Sequence, residues 1–276
     1  MSKEQKITKK YMSNGCIPSP PDTRDYTFER IALSSVTIPN AYLNDGMPIL
    51  DQGTVGSCVA HCCATAFGYG ELSNGKNNTH DMSRGFVYAN RRDDDYQGEG
   101  MNIRQALKQL NHCGDCEQVE FPWNETYPKV KRRLDAKKEV YLNKAEPYKI
   151  LNYFRCYTED EIKLTVINNG AVIMSMPLFP SFASECPMPG EDEVATGYHA
   201  MCLVGWDEEG WIIQNSWSKS WGNKGRLHVP YEYPITEFWG MTVDPAIPEA
   251  PKKQNWLIAL IKELYRVLKA LITKKK

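Results

Sequence analysis

The chain has 276 residues, 42% of them hydrophobic, which is enough for one large domain or two modest lobes with a buried core. Its 33 lysines and arginines nearly balance its 34 aspartates and glutamates, so the overall charge does not favour nucleic acid or a strongly acidic substrate as a partner. Nine cysteines, an odd number, leave at least one thiol free in a chain too large to need disulfide stapling.

Residues 1–47 are predicted to form an extended N-terminal strap rather than a domain. Three prolines in the stretch CIPSPPDTRDYTF, residues 16–28, keep its backbone out of the helical region. The basic residues at the start are not followed by an apolar run, so we expect no secretory signal peptide. A cytoplasmic or intracellular, reducing environment is therefore expected.

Residues 48–244 are predicted to form the main domain, and its first part, about 48–125, is predicted to be helical. Small and apolar residues without proline over 57–73 indicate a buried helix that begins at a glycine-serine turn. Two further helices are predicted over 83–92 and 102–112, the latter from apolar residues at helical spacing.

The second part of this domain, about 126–244, contains short apolar segments separated by turns, which predict a mainly antiparallel β lobe. A short helix with an acidic first turn is predicted over 158–168. The predicted strands are short, β-branched or aromatic and separated by turns, and they lie within residues 148–157, 171–178, 199–207, 210–216 and 225–233.

A proline-rich linker over 245–254 leads to a predicted amphipathic helix over 255–273. The longest uninterrupted apolar run in this tail, Trp256 to Ile261, is far too short to cross a bilayer. The helix could bind a membrane surface, pack on a partner helix, or dock on the protein itself. Lysines flanking an apolar face favour the membrane surface, which would make the protein peripheral to a membrane.

The strongest local signal is DQGTVGSCVAHCCATAFGYG, residues 51–70, which places Cys58 at the first turn of a predicted helix. Unpaired backbone N–H groups and the helix dipole favour a thiolate there. Of the nine cysteines only Cys58 has this setting, whereas Cys62 and Cys63 are predicted to be small core residues.

A nucleophilic thiolate needs a proton acceptor and donor, and histidine suits that task near neutral pH. His199 is the best candidate of five, because it lies at the start of the strand-like run GYHAMCLVGW. Asn215 ends the next strand, in GWIIQNSWSKSWGNKG, where an amide oxygen could fix the imidazole tautomer and Trp217 could shield that bond from water.

The blocks QGTVGSC, GYHAMCLVGW and NSWSKSWGNKG resemble the three active-site blocks of the papain family. His199 and Asn215 follow Cys58 by 141 and 157 residues, near the spacing found in that family. The resemblance implies an α+β, papain-like two-lobe fold with the cleft between the lobes. It also implies hydrolysis of peptide bonds through a Cys-His-Asn triad and a thioester acyl-enzyme, with a peptide or protein substrate and no cofactor or metal.

The resemblance also implies roles for residues around the triad. Gln52 would donate its amide to the oxyanion, and Trp221 would line the leaving-group side of the cleft. Gly98 and Gly100 would pair with the substrate backbone, although a plain glycine loop explains them equally well. Ala200 would line the pocket for the second residue before the scissile bond and leave room for an apolar side chain.

Some features depart from the usual family pattern. Val55 replaces a disulfide-forming cysteine and Val59 an aromatic residue, and no long helical prosegment is evident. The segments IPSPPDTRDYTF and QGEGMNIRQALKQLNHCGDC resemble instead the compact, prosegment-poor papain-like peptidases of bacteria and viruses. A pair of cysteines, Cys113 and Cys116, could form half of a zinc site, but no second pair has ligand spacing.

Two other functions use the same residues. The domain could be a non-catalytic scaffold whose cleft only binds peptide, although the presence of Gln52, Cys58, His199 and Asn215 together argues against this. The acyl group could also pass to an amine rather than to water, and product analysis would be needed to separate the two reactions.

Overall fold

A computed structural model describes residues 15–23, 25, 37–91, 99–123, 126–183 and 185–251. The fold is α+β, as predicted. The amphipathic helix predicted over 255–273 and most of the predicted N-terminal strap lie outside the described residues. Within the described part, no helix is both long and apolar enough to span a bilayer.

The helices gather mainly at one side of the molecule around a central, almost fully buried one. This central helix, α1, buries nearly every residue because glycine and alanine positions let neighbouring chain segments approach closely. At Gly68 the neighbour is Met47, and at Gly70 it is Val243. The helices are α1 Cys58–Ser73, α2 Arg84–Ala89, α3 Ile103–Cys113, α4 Tyr127–Ala136, α5 Lys138–Ala145 and α6 Glu159–Asn169, with a 3-10 turn at Glu146–Tyr148.

Four of these helices confirm the predicted ones, whereas α4 and α5 were not predicted. The part of the domain from about residue 126 was predicted to be mainly β structure, but two helices lie at its start. Helix α4 buries only Val130 and Leu134, one turn apart, and α5 buries only Ala145. With so few buried positions among charged residues, the segment contains no long apolar run to mark it as a helix.

The strands form one curled, mostly antiparallel sheet. Its main path runs β3-β1-β6-β5-β9-β4, while β2 and β7 pair with β6, and β8 pairs with β7. The last strand, β9, was not predicted. The strands are β1 Cys16–Ile17, β2 Tyr42–Leu43, β3 Met101–Asn102, β4 Ile150–Cys156, β5 Val172–Leu178, β6 Gly197–Trp206, β7 Trp211–Gln214, β8 Arg226–Val229 and β9 Glu237–Val243.

Two features of this architecture position the site. Helix α1 packs against β6, so the start of the helix meets the start of the strand. The two-residue strand β1 lies between β3 and β6, parallel to β3 and antiparallel to β6. A segment from the N-terminal part of the chain therefore bridges the helical and β sides of the molecule.

Candidate active site

Cys58 is the first residue of α1 and is fully buried. The turn before it is held by Glu99, whose carboxylate accepts a 2.5 Å hydrogen bond from the Gly56 N–H. The Ala200 N–H, on β6, points to the Cys58 Sγ at 3.4 Å. Burial raises the pKa of the Cys58 thiol to about 12, although hydrogen bonds from the Ala200, Val59 and Cys58 backbone oppose this.

His199 and Asn215 lie together at the ends of β6 and β7. The His199 Nε2 and the Asn215 Oδ1 are 2.8 Å apart, and the same oxygen accepts a 2.7 Å bond from the Ser216 N–H. An amide oxygen only accepts, so Nε2 carries the proton and Nδ1 has a free lone pair. Among the described residues, that buried Nδ1 has no hydrogen-bond partner.

The imidazole is shielded from water by an aromatic ring. Trp217 is fully buried and stacks on His199, with ring centroids 4.5 Å apart and planes 27° apart. Burial lowers the pKa of His199 to about 4, and the bond to Asn215 offsets this only in part. In this arrangement both the imidazole and the thiol are neutral at pH 7.

Gln52 is buried beside this pair and its side-chain amide is held at both ends. Its Oε1 accepts a 2.6 Å bond from the Ser216 Oγ, and its Nε2 donates to the Val55 carbonyl at 3.0 Å. One N–H of the amide is thereby used, and the second has no acceptor among the described residues. Ser216 therefore links the glutamine to Asn215, a connection that no local sequence pattern indicates.

Residues 15–19, called the N-terminal segment below, lie directly in front of Cys58. The Gly15 carbonyl accepts a 3.1 Å bond from the Met101 N–H, and Cys16 pairs with Tyr198 on β6. A Cβ atom on Gly15 would lie only 2.9 Å from the Cys58 Sγ. This contact is one reason why the nucleophile candidate is inaccessible to solvent.

The predicted substrate-binding residues are only partly assembled around this site. Gly98 lies outside the described residues. Gly100 has φ +113 and uses its N–H on the Tyr88 hydroxyl, so the neighbouring Met101 carries the pairing with the N-terminal segment. Trp221 is fully buried, with its ring 5.2 Å from the Trp217 ring.

The two cysteines considered for a zinc site lie in different surroundings. The Cys116 Sγ lies 3.3 Å from the Tyr141 carbonyl, while Cys113 is partly exposed at the end of α3. In the described ranges, no three histidine, cysteine or acidic side chains cluster as metal ligands would.

Comparison with known proteins gives consistent matches. Residues 43–234 match the family described as papain family cysteine protease. An uncharacterised peptidase C1-like protein of Acanthamoeba polyphaga mimivirus is 30% identical over 228 residues, which cover 74% of this chain and 71% of the relative. Cysteine proteinase 1 of Entamoeba histolytica is 27% identical over 217 residues, covering 73% of this chain and 64% of the proteinase, somewhat less than two thirds of its length.

A solved structure supports the same fold. Xylellain, a cysteine protease from Xylella fastidiosa, superposes with a TM-score of 0.72 at 23% identity. The alignment covers 85% of this chain and 97% of that one. At this identity the similarity establishes the two-lobe fold alone.

Proposed function

The chain belongs to the papain family of cysteine proteases, hydrolases that act on peptides or proteins, and we propose that it cleaves peptide bonds through Cys58, His199 and Asn215. Cys58 is the nucleophile, His199 the general base and acid, and Asn215 the residue that orients the imidazole. The observation that carries this proposal is the 2.8 Å bond between the His199 Nε2 and the Asn215 Oδ1 beneath Trp217, next to a cysteine at a helix start.

In the proposed reaction the Cys58 thiol passes its proton to the His199 Nδ1, and the sulfur attacks the scissile carbonyl carbon. Gln52 donates its second amide N–H to the developing oxyanion, together with the Cys58 backbone N–H. The protonated imidazole then gives its proton to the departing amine, leaving a thioester on Cys58. Water, deprotonated by His199, hydrolyses that thioester and releases the carboxylic acid product.

The substrate must first displace the N-terminal segment, because Gly15 fills the space in front of the sulfur. Burial is the main cause of both unusual pKa values, high for Cys58 and low for His199. Opening the cleft admits water, which lowers the thiol pKa and raises the imidazole pKa. The neutral pair then approaches the thiolate-imidazolium state that the reaction needs.

A labelling experiment tests the triad. The reduced full-length protein is treated with a peptidyl epoxide, and the modified cysteines are mapped by mass spectrometry. We expect selective modification of Cys58, and at least a tenfold slower reaction in His199→Ala. His228→Ala is the matched control, since His228 lies at the surface, where its Nε2 is 2.8 Å from the Asp207 Oδ2.

The proposal would be wrong if Cys58 reacted no faster than the other eight cysteines, or equally fast without His199. In that case the domain would be a peptide-binding scaffold. If Cys58 is instead labelled selectively, the next experiment is a peptide-library digest. Its products show which bonds are cleaved and whether an added amine captures the acyl group.

A further inference from the structure

A second thiol lies close to Cys58, on the N-terminal segment that covers it. Cys16 is only 3% exposed and belongs to the two-residue strand β1, where it pairs with Tyr198. A Cβ on the preceding residue, Gly15, would lie 2.9 Å from the Cys58 Sγ, so the Gly15 Cα is at most about 4.5 Å from that sulfur. Since consecutive Cα atoms are about 3.8 Å apart, the Cys16 Cα lies within about 8 Å of it.

Hydrogen bonds hold the two sulfurs at adjacent places on the sheet. The Cys16 Sγ donates to the Ser175 Oγ at 3.3 Å, and the Ala200 N–H points to the Cys58 Sγ at 3.4 Å. Ser175 on β5 is directly opposite Ala200 on β6, and the Cα atoms of such a pair are about 4.5–5.5 Å apart. Burial, and then the nearby Cys58, raises the pKa of the Cys16 thiol well above its usual value.

The other cysteines near the site belong to elements that cannot move as easily. Cys62 and Cys63 lie one turn further along α1, and Cys202 lies on β6, with its Sγ 3.4 Å from the Cys62 carbonyl oxygen. A disulfide needs Cα atoms about 4.4–6.8 Å apart and Cβ atoms that face each other. Strand β1 must move in any case to admit substrate, so a small shift of Cys16 can meet this requirement without bending the central helix or the sheet.

We propose that Cys16 is a resolving cysteine, which captures peroxide-oxidised Cys58 in a disulfide and fastens the N-terminal segment over the nucleophile. This inference rests on the proposed function, since it takes Cys58 as the nucleophile that reacts when the segment opens. Oxidation then switches the peptidase off, and a thiol reductant switches it on again.

Two steps form this bond, with hydrogen peroxide as the oxidant. In the open form the Cys58 sulfur attacks one peroxide oxygen and the O–O bond breaks, which leaves a sulfenic acid. The departing hydroxide takes the Cys58 proton from His199 and becomes water. The Cys16 sulfur then attacks the Cys58 sulfur, the S–O bond breaks, and the second hydroxide leaves with the Cys16 proton as water. Overall, two thiols and one peroxide molecule give one disulfide and two water molecules.

Closing of the segment favours the disulfide over further oxidation. When β1 pairs again with Met101 and Tyr198, it returns Cys16 to the oxidised sulfur, so the second step is intramolecular. Further oxidation to a sulfinic acid needs a second peroxide molecule to reach a sulfur that Gly15 covers. Sulfinic and sulfonic acids are not reversed by thiol reductants, whereas a disulfide is.

The test is treatment of the reduced full-length protein with excess hydrogen peroxide, which is then removed with catalase. Peptide mapping without reduction identifies the linked cysteines and any sulfinic acid. A second portion is reduced with dithiothreitol before Cys58 is labelled with the peptidyl epoxide. The variants are Cys16→Ser, which keeps a hydrogen-bond donor to Ser175, and the matched control Cys113→Ser, which removes a more exposed thiol at the end of α3.

We expect a peptide that links Cys16 to Cys58 in the unsubstituted protein and in Cys113→Ser. Epoxide labelling should slow at least about tenfold after peroxide and return to within about twofold of its starting rate after dithiothreitol. In Cys16→Ser, Cys58 should become a sulfinic acid and dithiothreitol should not restore labelling.

The mapping of the unsubstituted protein decides the proposal without any variant. Linkage of Cys58 to another cysteine, or a Cys58 that is not linked at all, would overturn the proposal and leave the triad intact. Equal recovery in Cys16→Ser would also overturn it. Failure of the epoxide to select Cys58 in protein that has not met peroxide would instead overturn the proposed function.

Discussion

Replacing Gly15 with alanine should open the cleft. The Gly15 backbone is in a conformation that any residue can adopt, so the substitution tests space alone. The added Cβ would lie 2.9 Å from the Cys58 Sγ and 2.8 Å from the Gly56 carbonyl carbon, closer than any real contact of this kind. Backbone on one side and a buried sulfur on the other cannot yield easily, so the N-terminal segment must move away.

The size of the effect follows from the cost of overpacking. One extra methyl group in a filled space costs about 1–3 kcal/mol. Because 1.4 kcal/mol is a factor of ten in an equilibrium constant, the open form should become about 5–150 times more populated. The alkylation rate of a buried thiol that reacts only when exposed increases by the same factor.

The assay is alkylation of the reduced protein with iodoacetamide, followed by peptide mapping. Cys113, the one cysteine in the described residues that is not fully buried, provides an internal reference for reagent activity. Gly190→Ala is the matched control, since a Cβ there meets nothing closer than 3.7 Å. If Cys58 in Gly15→Ala reacts at the unsubstituted rate relative to Cys113, the segment does not restrict access to the nucleophile.

Three further predictions concern the triad and the core. Asn215→Ala removes the acceptor of a buried His199 N–H, which costs about 1–3 kcal/mol, so epoxide labelling of Cys58 should slow by about 5–150-fold; an unchanged rate would contradict the orienting role. Burial lowers the pKa of His61 to about 3 and of His199 to about 4. Below about pH 6.5 the unfolded chain therefore binds more protons than the folded chain, so the free energy of unfolding should decrease as the pH decreases. Urea unfolding at pH 7 and pH 5 should differ by about 4 kcal/mol, and equal stabilities would mean that these histidines are not buried as neutral groups. Gly114→Ala should lower the free energy of unfolding by more than about 2 kcal/mol in the same assay, because φ is +78 and a Cβ would lie 2.0 Å from the Ala145 carbonyl oxygen; a smaller loss would show that this turn can rearrange.

Much of the secondary structure could be predicted because its signals are local. The predicted helix over 57–73 is α1, Cys58–Ser73, and the helix predicted over 158–168 is α6, which begins with a capping box formed by Thr158 and Glu161. The strand β5 is apolar except for Ser175 and is buried along its whole length. Helices α4 and α5 were missed because their few buried positions lie among charged residues. Strand β9 was missed because glutamate, glycine and threonine interrupt its apolar residues.

The family, the α+β fold and the peptidase class follow from the sequence by itself, because a helix-start cysteine and the histidine and asparagine blocks are short motifs that need no knowledge of long-range contacts. The roles of Cys58, His199 and Asn215 were likewise proposed from these motifs.

Only the tertiary structure decided what lies around those residues. It brings Gly15 against Cys58, joins Ser216 to Gln52 across 164 positions of sequence, and sets Cys16 on Ser175, directly opposite Ala200. These contacts depend on strand register and on how α1 packs against β6, which are determined by side-chain packing over the whole domain rather than by any local pattern.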